Sequence, residues 1–378
     1  MAINVRSPYY TSITDASISY ATLTIAVWDG VITGAVTPQY NLKKFKVGSS
    51  TNVSFEISEL IRDFIDITFN GDYSGQAVWM ETVIKAYNSS NVLINDDGET
   101  TLCVDGYSYF QEPTFNITDS SVMISNKTIF SLADNLFRLP IYTSLSPTIT
   151  LFKDNIALST QSFTSSTLSS EQIKYVSLNG SAVNYDNYSE RVIEDSGVLE
   201  GGSCLDSFLD DFQISEVDKI KITDNTGIYF INVKTLDECK YEPKKVTFIN
   251  KFGVLQDMYF FKKAVEKMTV KKESYKANTR TSGNTYSISQ HVNREFNIVG
   301  NESISLSSGY LSEEYNEVFK QLMLSEKVWV TNVNNGVEQV LPVNVSTKNI
   351  TYKTSLNDRL VEYTIGFDNS FNTINNIR

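Results

Sequence analysis

The pattern of apolar and polar positions changes period near the end of the chain. After Ser312, a candidate N-cap, and the acidic Glu313 and Glu314, residues Tyr315, Val318, Phe319 and Leu322 recur on one helical face. This spacing predicts an amphipathic helix with one buried stripe. Beyond Ser325-Glu326-Lys327 the period becomes that of a strand in Val328-Trp329-Val330-Thr331, with a turn at Asn335-Gly336 and a return through Val340-Leu341-Pro342-Val343. From Leu360 to Phe367 strict alternation predicts a strand with Val361, Tyr363, Ile365 and Phe367 on one side.

Earlier segments read as strands and turns. Leu23, Ile25 and Val27 alternate with Thr22, Thr24 and Ala26, and a second strand is expected over Tyr40 to Lys46. A short helix capped by Ser58 would carry Leu60, Ile61, Phe64 and Ile65 on its apolar side. Trp79 to Tyr87 reads as a strand, and Asn95-Asp96-Asp97-Gly98 as a hairpin turn before Thr101-Leu102-Cys103-Val104. Ser159 to Ser170 is rich in Ser and Thr without periodicity, whereas Asp224-Asn225-Thr226-Gly227 joins two clear strands. Strands at Lys245 to Asn250 and Met258 to Lys262 flank Gly253.

Pro113 and Pro243 suggest boundaries at 1–112, 113–242 and 243–378. The expected fold is mainly β: tandem β-sandwiches of immunoglobulin or fibronectin type, followed by a C-terminal α+β domain that docks on a neighbour. The composition agrees, since 41% apolar and 12% aromatic residues in a 378-residue chain suffice for sizeable cores.

The formal charge of −12 disfavours nonspecific binding to nucleic acid or anionic lipid by the molecule as a whole. No apolar run approaches the roughly 20 residues that span a bilayer, and Met1-Ala2-Ile3-Asn4-Val5-Arg6 lacks the apolar core of a signal peptide, so use without secretion and no membrane insertion are expected. Cys103, Cys204 and Cys239 follow no metal-ligand spacing and read as free thiols.

Chemistry is sparse. His291 is the only histidine, which leaves no His pair for zinc and a single candidate for any triad. Asp206, Asp210, Asp211, Glu216 and Asp218 lack EF-hand spacing and read as a solvated acidic face. Leu199-Glu200-Gly201-Gly202-Ser203 is a turn and no phosphate loop. No catalytic, cofactor or metal residue is expected, and no carboxylate pair marks a glycosidase. The strongest positive run comprises Lys262, Lys263, Lys267, Lys271, Lys272 and Lys276 against Glu266 and Glu273. It suits a protein interface or solvated surface better than nucleic acid, because Tyr259, Phe260 and Phe261 precede it together and read as core. Trp28, Trp79 and Trp329 are possible contacts, with core positions the commoner fate of tryptophan.

Several phrases form a recognisable set. Ser7-Pro8-Tyr9-Tyr10, Phe55-Glu56-Ile57-Ser58-Glu59-Leu60-Ile61-Arg62 and Asn250-Lys251-Phe252-Gly253 precede a dense block from Ser308 to Phe367. That block includes Ser308-Gly309-Tyr310-Leu311-Ser312-Glu313-Glu314-Tyr315, Leu324-Ser325-Glu326-Lys327-Val328-Trp329 and Ser355-Leu356-Asn357-Asp358-Arg359-Leu360. Together they resemble virion structural proteins of tailed bacteriophages, including crAss-like and related phages. The resemblance implies a β-rich, non-enzymatic tail, tail-hub, baseplate or fibre-attachment subunit, assembled in the host cytoplasm into the virion. Its expected partners are other tail proteins and copies of itself in a symmetric homo-oligomer, with candidate interface residues Trp329, Tyr310, Tyr315, Lys262, Lys263, Lys271 and Lys272. The alternative is a receptor-binding or carbohydrate-binding protein at the tail tip.

Overall fold

The structure is a computed structural model that describes residues 2–32, 37–73, 77–112, 115–131, 137–163, 172–179, 182–186, 217–236, 240–280, 283, 285–334, 337–352 and 360–374. It is mainly β, with several separate sheets. The chain divides into two compact units. One comprises Met1–Asp237, Thr247–Met258 and Glu314–Ser325; the other comprises Glu238–Val246, Tyr259–Glu313 and Glu326–Arg378. Residues 243–378 thus contribute to both.

The first unit opens with β1 (Ala2–Asn4), β2 (Tyr10–Thr14), β3 (Tyr20–Trp28), β4 (Tyr40–Phe45), β5 (Asn52–Glu56), α1 (Ser58–Arg62), β6 (Ala77–Tyr87) and β7 (Leu93–Val104). A five-stranded sheet runs β1-β7-β6-β3-β4, with β1 parallel to β7, while β2 and β5 pair separately. The alternation of β3 has its predicted consequence: Leu23, Ile25 and Val27 are buried in one core with Ile13, Phe55 and Ile61.

Two local expectations fail here. Asn95 to Gly98 do not turn; they lie inside β7, opposite Val83 to Ala86. The reversal comes earlier, where the Asn88 carboxamide oxygen accepts the N–H groups of Ser90 and Val92 at 2.9 and 3.0 Å and Asn91 takes a left-handed φ of 60°. An Asx turn at Asn88 has already closed the hairpin, so the Asp-Gly pair continues the ladder. Ser58 does not cap α1, because the helix begins at Ser58 with Ile57 at the cap, and the Ser58 hydroxyl donates to the Glu56 carboxylate. On that helix Ile61 is buried and Leu60 packs partly against the core, whereas Phe64 and Ile65 lie beyond its end, Phe64 exposed and Ile65 partly buried.

The unit continues through β8 (Thr128–Ser131), β9 (Phe137–Tyr142), β10 (Thr148–Lys153), β11 (Ile156–Ser162), β12 (Ile173–Asn179), β13 (Ala182–Asp186), β14 (Lys219–Thr223) and β15 (Ile228–Thr235). Sheets β11-β10-β14-β15-β8 and β13-β12-β9 share one core, to which the first gives Ile149, Ile220 and Ile231 and the second Leu139, Ile141 and Val176. The predicted Asp224–Gly227 hairpin is present, with Asp224 accepting from the N–H groups of Thr226, Gly227 and Ser121 at 2.7, 2.9 and 2.8 Å. Partial burial pushes the Asp224 pKa up, but these hydrogen bonds and that of the Thr226 hydroxyl outweigh it and hold the carboxyl below its usual range.

The rest of the chain supplies β16 (Lys244–Ile249), β17 (Leu255–Phe260), β18 (Ala264–Lys276), β19 (Asn293–Ser307), β20 (Leu311–Ser312), α2 (Tyr315–Leu324), β21 (Val328–Asn334), β22 (Val337–Val345), β23 (Leu360–Val361) and β24 (Thr364–Asn369). The division between units falls within β16 and within β17.

In the first unit, the turn after β16 and helix α2 hold the core together by polar contacts. The buried Asn250 donates to the Met123 carbonyl at 2.8 Å and to Gln256 at 2.9 Å, and accepts from the Phe252 N–H at 2.9 Å. Gly253 has φ +75°, and a Cβ there would lie 2.6 to 2.9 Å from backbone atoms of Asp105 and Gly106, so only glycine fits. Helix α2 buries Tyr315, Val318, Phe319 and Leu322, as its spacing predicts, together with Gln321. Ser312 does not cap it: Glu314 occupies the N-cap, and Ser312 belongs to the two-residue strand β20, paired with β23. Tyr315 instead anchors the first turn by donating to the Thr128 carbonyl at 2.6 Å.

In the second unit, strands β21-β22-β24-β19-β18 are neighbours in that order, and every pair is antiparallel. The expected Leu360–Phe367 alternation holds, with Val361, Tyr363, Ile365 and Phe367 all buried, but the segment is two strands. Around the break, Tyr363 donates its N–H to the Ser308 hydroxyl at 3.0 Å, and its carbonyl accepts the Ser308 N–H at 2.9 Å. Phe260 meets Phe367 edge-on at 6.0 Å, as its expected core role requires. The predicted Asn335-Gly336 turn lies outside the described residues, although Asn334 and Val337 on either side of it are paired.

Candidate assembly surface

The second unit carries an exposed two-stranded extension. Strand β24 pairs with β19 only from Ser303 to Ser307, so from Met268 and Glu302 outward the described sheet narrows to β18 and β19. This ribbon continues to the pairs Tyr275–Arg294 and Lys276–Asn293. Every residue of β18 after Ala264 is exposed, as are the first six residues of β19.

Its side chains are not those of a solvated ribbon. Met268, Val270, Tyr275, Phe296 and Ile298 are each about half exposed, and Ile288 beyond the strands is 95% exposed. Tyr275 and Phe296 pack edge to face at 5.6 Å, which stiffens the ribbon across its strands. Lys272 and Glu295 form an ion pair at 2.5 Å, exposed and therefore weak. Glu273 accepts from the Asn297 carboxamide at 3.2 Å.

One irregularity distinguishes the two edges. Between the pairs Lys271–Val299 and Glu273–Phe296, β18 advances two residues while β19 advances three. The extra residue lies in β19, where Asn297 has φ +49°, and the Gly300 carbonyl accepts the Thr373 N–H at 2.9 Å. Strand β18 keeps a regular 13-residue run, and among the described residues no strand pairs with its outer edge.

A second feature lies near the base of β18. An open groove of about 360 Å³ is lined by Lys262, Lys263, Tyr310, Ser305, Ser307 and Glu362, among others. Tyr310 is 64% exposed, and Glu362 accepts from the Ser307 hydroxyl at 2.6 Å.

The sequence candidates therefore separate. Lys262, Lys263 and Tyr310 come together in the groove, and Lys271 and Lys272 lie on the ribbon. Trp329, at 6% exposure, and Tyr315, at 4%, are core residues and present no surface. Trp79 is likewise buried, and its indole N–H donates to the Gly30 carbonyl at 3.1 Å. Missed by sequence reasoning were Met268, Val270, Phe296 and Ile298. A signal existed: in β18 the apolar residues Val265 and Tyr275 fall on one strand face and Met268 and Val270 on the other, so neither face is the polar one.

Candidate chemistry is thin. His291 is exposed, Cys103 is buried with its thiol pKa pushed up by desolvation, and no group of three or more His, Cys, Asp or Glu that could hold a metal ion occurs among the described residues. Of the acidic run, only Asp218 is described, accepting the Asp154 N–H at 2.8 Å; Asp206, Asp210, Asp211 and Glu216 lie outside the described residues, as do Leu199 to Ser203, Cys204 and Cys239. No known protein-family profile and no curated protein matches the chain.

Proposed function

We propose that the chain is a non-enzymatic structural subunit of a bacteriophage tail, connecting or attaching tail components such as fibres, and that it acts in the virion as a symmetric homo-oligomer. The observation that carries this reading is the ribbon of β18 and β19, exposed on both faces and apolar on both. A two-stranded ribbon is marginal in water on its own, and an unpaired edge with exposed apolar residues is a surface suited to being covered. The family resemblance of Ser308 to Phe367 supplies the viral context. In this reading the strand groups of residues 1–112 and 113–242 serve as tandem sandwich spacers, a reading supported by the separate hydrophobic core that each group encloses, and the C-terminal α+β segment docks on a neighbour.

Mass spectrometry and an electron-microscopy map of purified particles of the encoding phage test the proposal. The chain should be present in fixed, multiple copies in the tail. Absence from the particle, together with no binding to any virion protein, would sink the reading.

A second reading, recognition of a host glycan, draws on Tyr310, an exposed aromatic ring beside the lysines, serines and Glu362 of the groove. Sugar rings stack on such a surface and hydrogen-bond to its rim. Specific binding on a glycan array, abolished by Tyr310→Ala, would favour the tip over the connector role.

A further inference from the structure

We infer that the outer edge of β18 pairs antiparallel with the same edge of a second copy, with Val270 facing Val270 across the two-fold axis. This deepens the assembly reading above and rests on it. Strand β18 is a regular 13-residue edge with no strand on its outer side among the described residues, whereas β19 is interrupted by its extra residue and by Thr373. Its four lysines would ordinarily discourage pairing. In one register they do not.

With Val270 on the axis, Lys267 stands opposite Glu273 of the second copy, and by symmetry Glu273 opposite its Lys267. Val265 faces Tyr275, also twice, while Lys271, Lys272 and Lys276 face Thr269, Met268 and Ala264. Opposed side chains across antiparallel strands attract when unlike in charge and repel when alike. Sliding the strands by one or two residues either removes the opposite-charge pairs or sets lysine against lysine. The sequence of this edge therefore selects one self-complementary register, as an isologous interface requires. Glu273 would exchange its Asn297 contact for Lys267 of the neighbour.

The test uses the full-length chain in sedimentation velocity. Lys267→Glu and Glu273→Lys should each weaken self-association at least about tenfold, since each replaces two attractive pairs by two repulsive ones. The double variant K267E/E273K should associate like the unchanged chain. A mixture of the two single variants should form heterodimers, because the Glu pair of one then meets the Lys pair of the other. Independently of these, Val270→Cys should give a disulfide-linked dimer on mild oxidation, the opposed positions lying within disulfide reach. Val265→Cys should not, because in this register it is about 33 Å from its own copy. An associating chain that neither single variant weakens overturns the edge contact and leaves the tail-subunit reading standing. A chain that stays monomeric at its highest soluble concentration, with no V270C dimer, also overturns the edge contact, while the particle analysis decides the tail reading separately.

Discussion

The turn from Asn250 to Gln256 and the ribbon of β18 and β19 are both rich in polar residues, and they use them in opposite ways. In the turn, Asn250 has no exposed surface, and its carboxamide is used as both donor and acceptor. Gln256 carries the network on to Asn126 at 3.1 Å. A buried polar group left unpaired costs about 1–3 kcal/mol, so such a cluster holds one arrangement. In the ribbon the polar groups reach water, and apolar ones such as Met268, Val270 and Ile298 stay about half exposed. The first region completes a core within one copy, whereas the second has material left over for another. Substitutions should therefore cost folding stability in the first region and association in the second.

The sharpest break of this contrast would come from Phe319→Ala on α2, whose ring is fully buried. Loss of about 3–5 kcal/mol is expected in chemical denaturation, and a loss under about 1 kcal/mol would remove α2 from the core. Gly253→Ala should follow at about 2 kcal/mol or more, since alanine meets both a left-handed backbone and the Asp105–Gly106 main chain. Near-unchanged melting would mean that the turn relaxes freely.

A third comparison uses alkali. Burial pushes the phenol of Tyr9 up to about 12, with the Glu99 carboxylate adding to it, and burial does the same for Tyr107. Burial also raises Tyr109, Tyr175 and Tyr315, and all five belong to the first unit. Unfolded tyrosine ionises near pH 10, so the folded state holds these protons more tightly than the unfolded one. For Tyr9 and Tyr107 that contribution is complete below about pH 10 and is lost as pH rises through about 12, and the other three act in the same direction. Melting followed between those limits should fall steeply, and Tyr9→Phe should flatten the fall. The smallest effect on stability should come from Phe296→Ser on the ribbon, within about 0.5 kcal/mol by thermal melting, while self-association drops. A large destabilisation there would show that the ribbon is part of its own core.

Much of the architecture was legible in local pattern. The stripe of α2, the alternation of β3, the Asp224 hairpin and the buried side of Val361 to Phe367 all follow from spacing, because a residue's face is fixed by helical or strand periodicity. Boundaries were less legible where two local devices competed. Asn88 closed a hairpin that Asp97-Gly98 equally suggested, and Glu314 took the cap that Ser312 offered. On the surface, Lys262, Lys263 and Tyr310 were named without any sign that they share a groove, and Trp329 and Tyr315 gave no sign that their rings are enclosed.

By itself the sequence determined the β-rich character, the helical stripe and the basic run of β18, since propensity, periodicity and charge are properties of neighbouring residues. Tertiary structure alone decided that α2 joins the unit of the N-terminal strands, that Gly253 lies against Gly106, and that β18 ends a sheet with no strand on its outer edge among the described residues. Those outcomes depend on pairings between segments up to hundreds of residues apart. No local pattern records which edge is left without a partner.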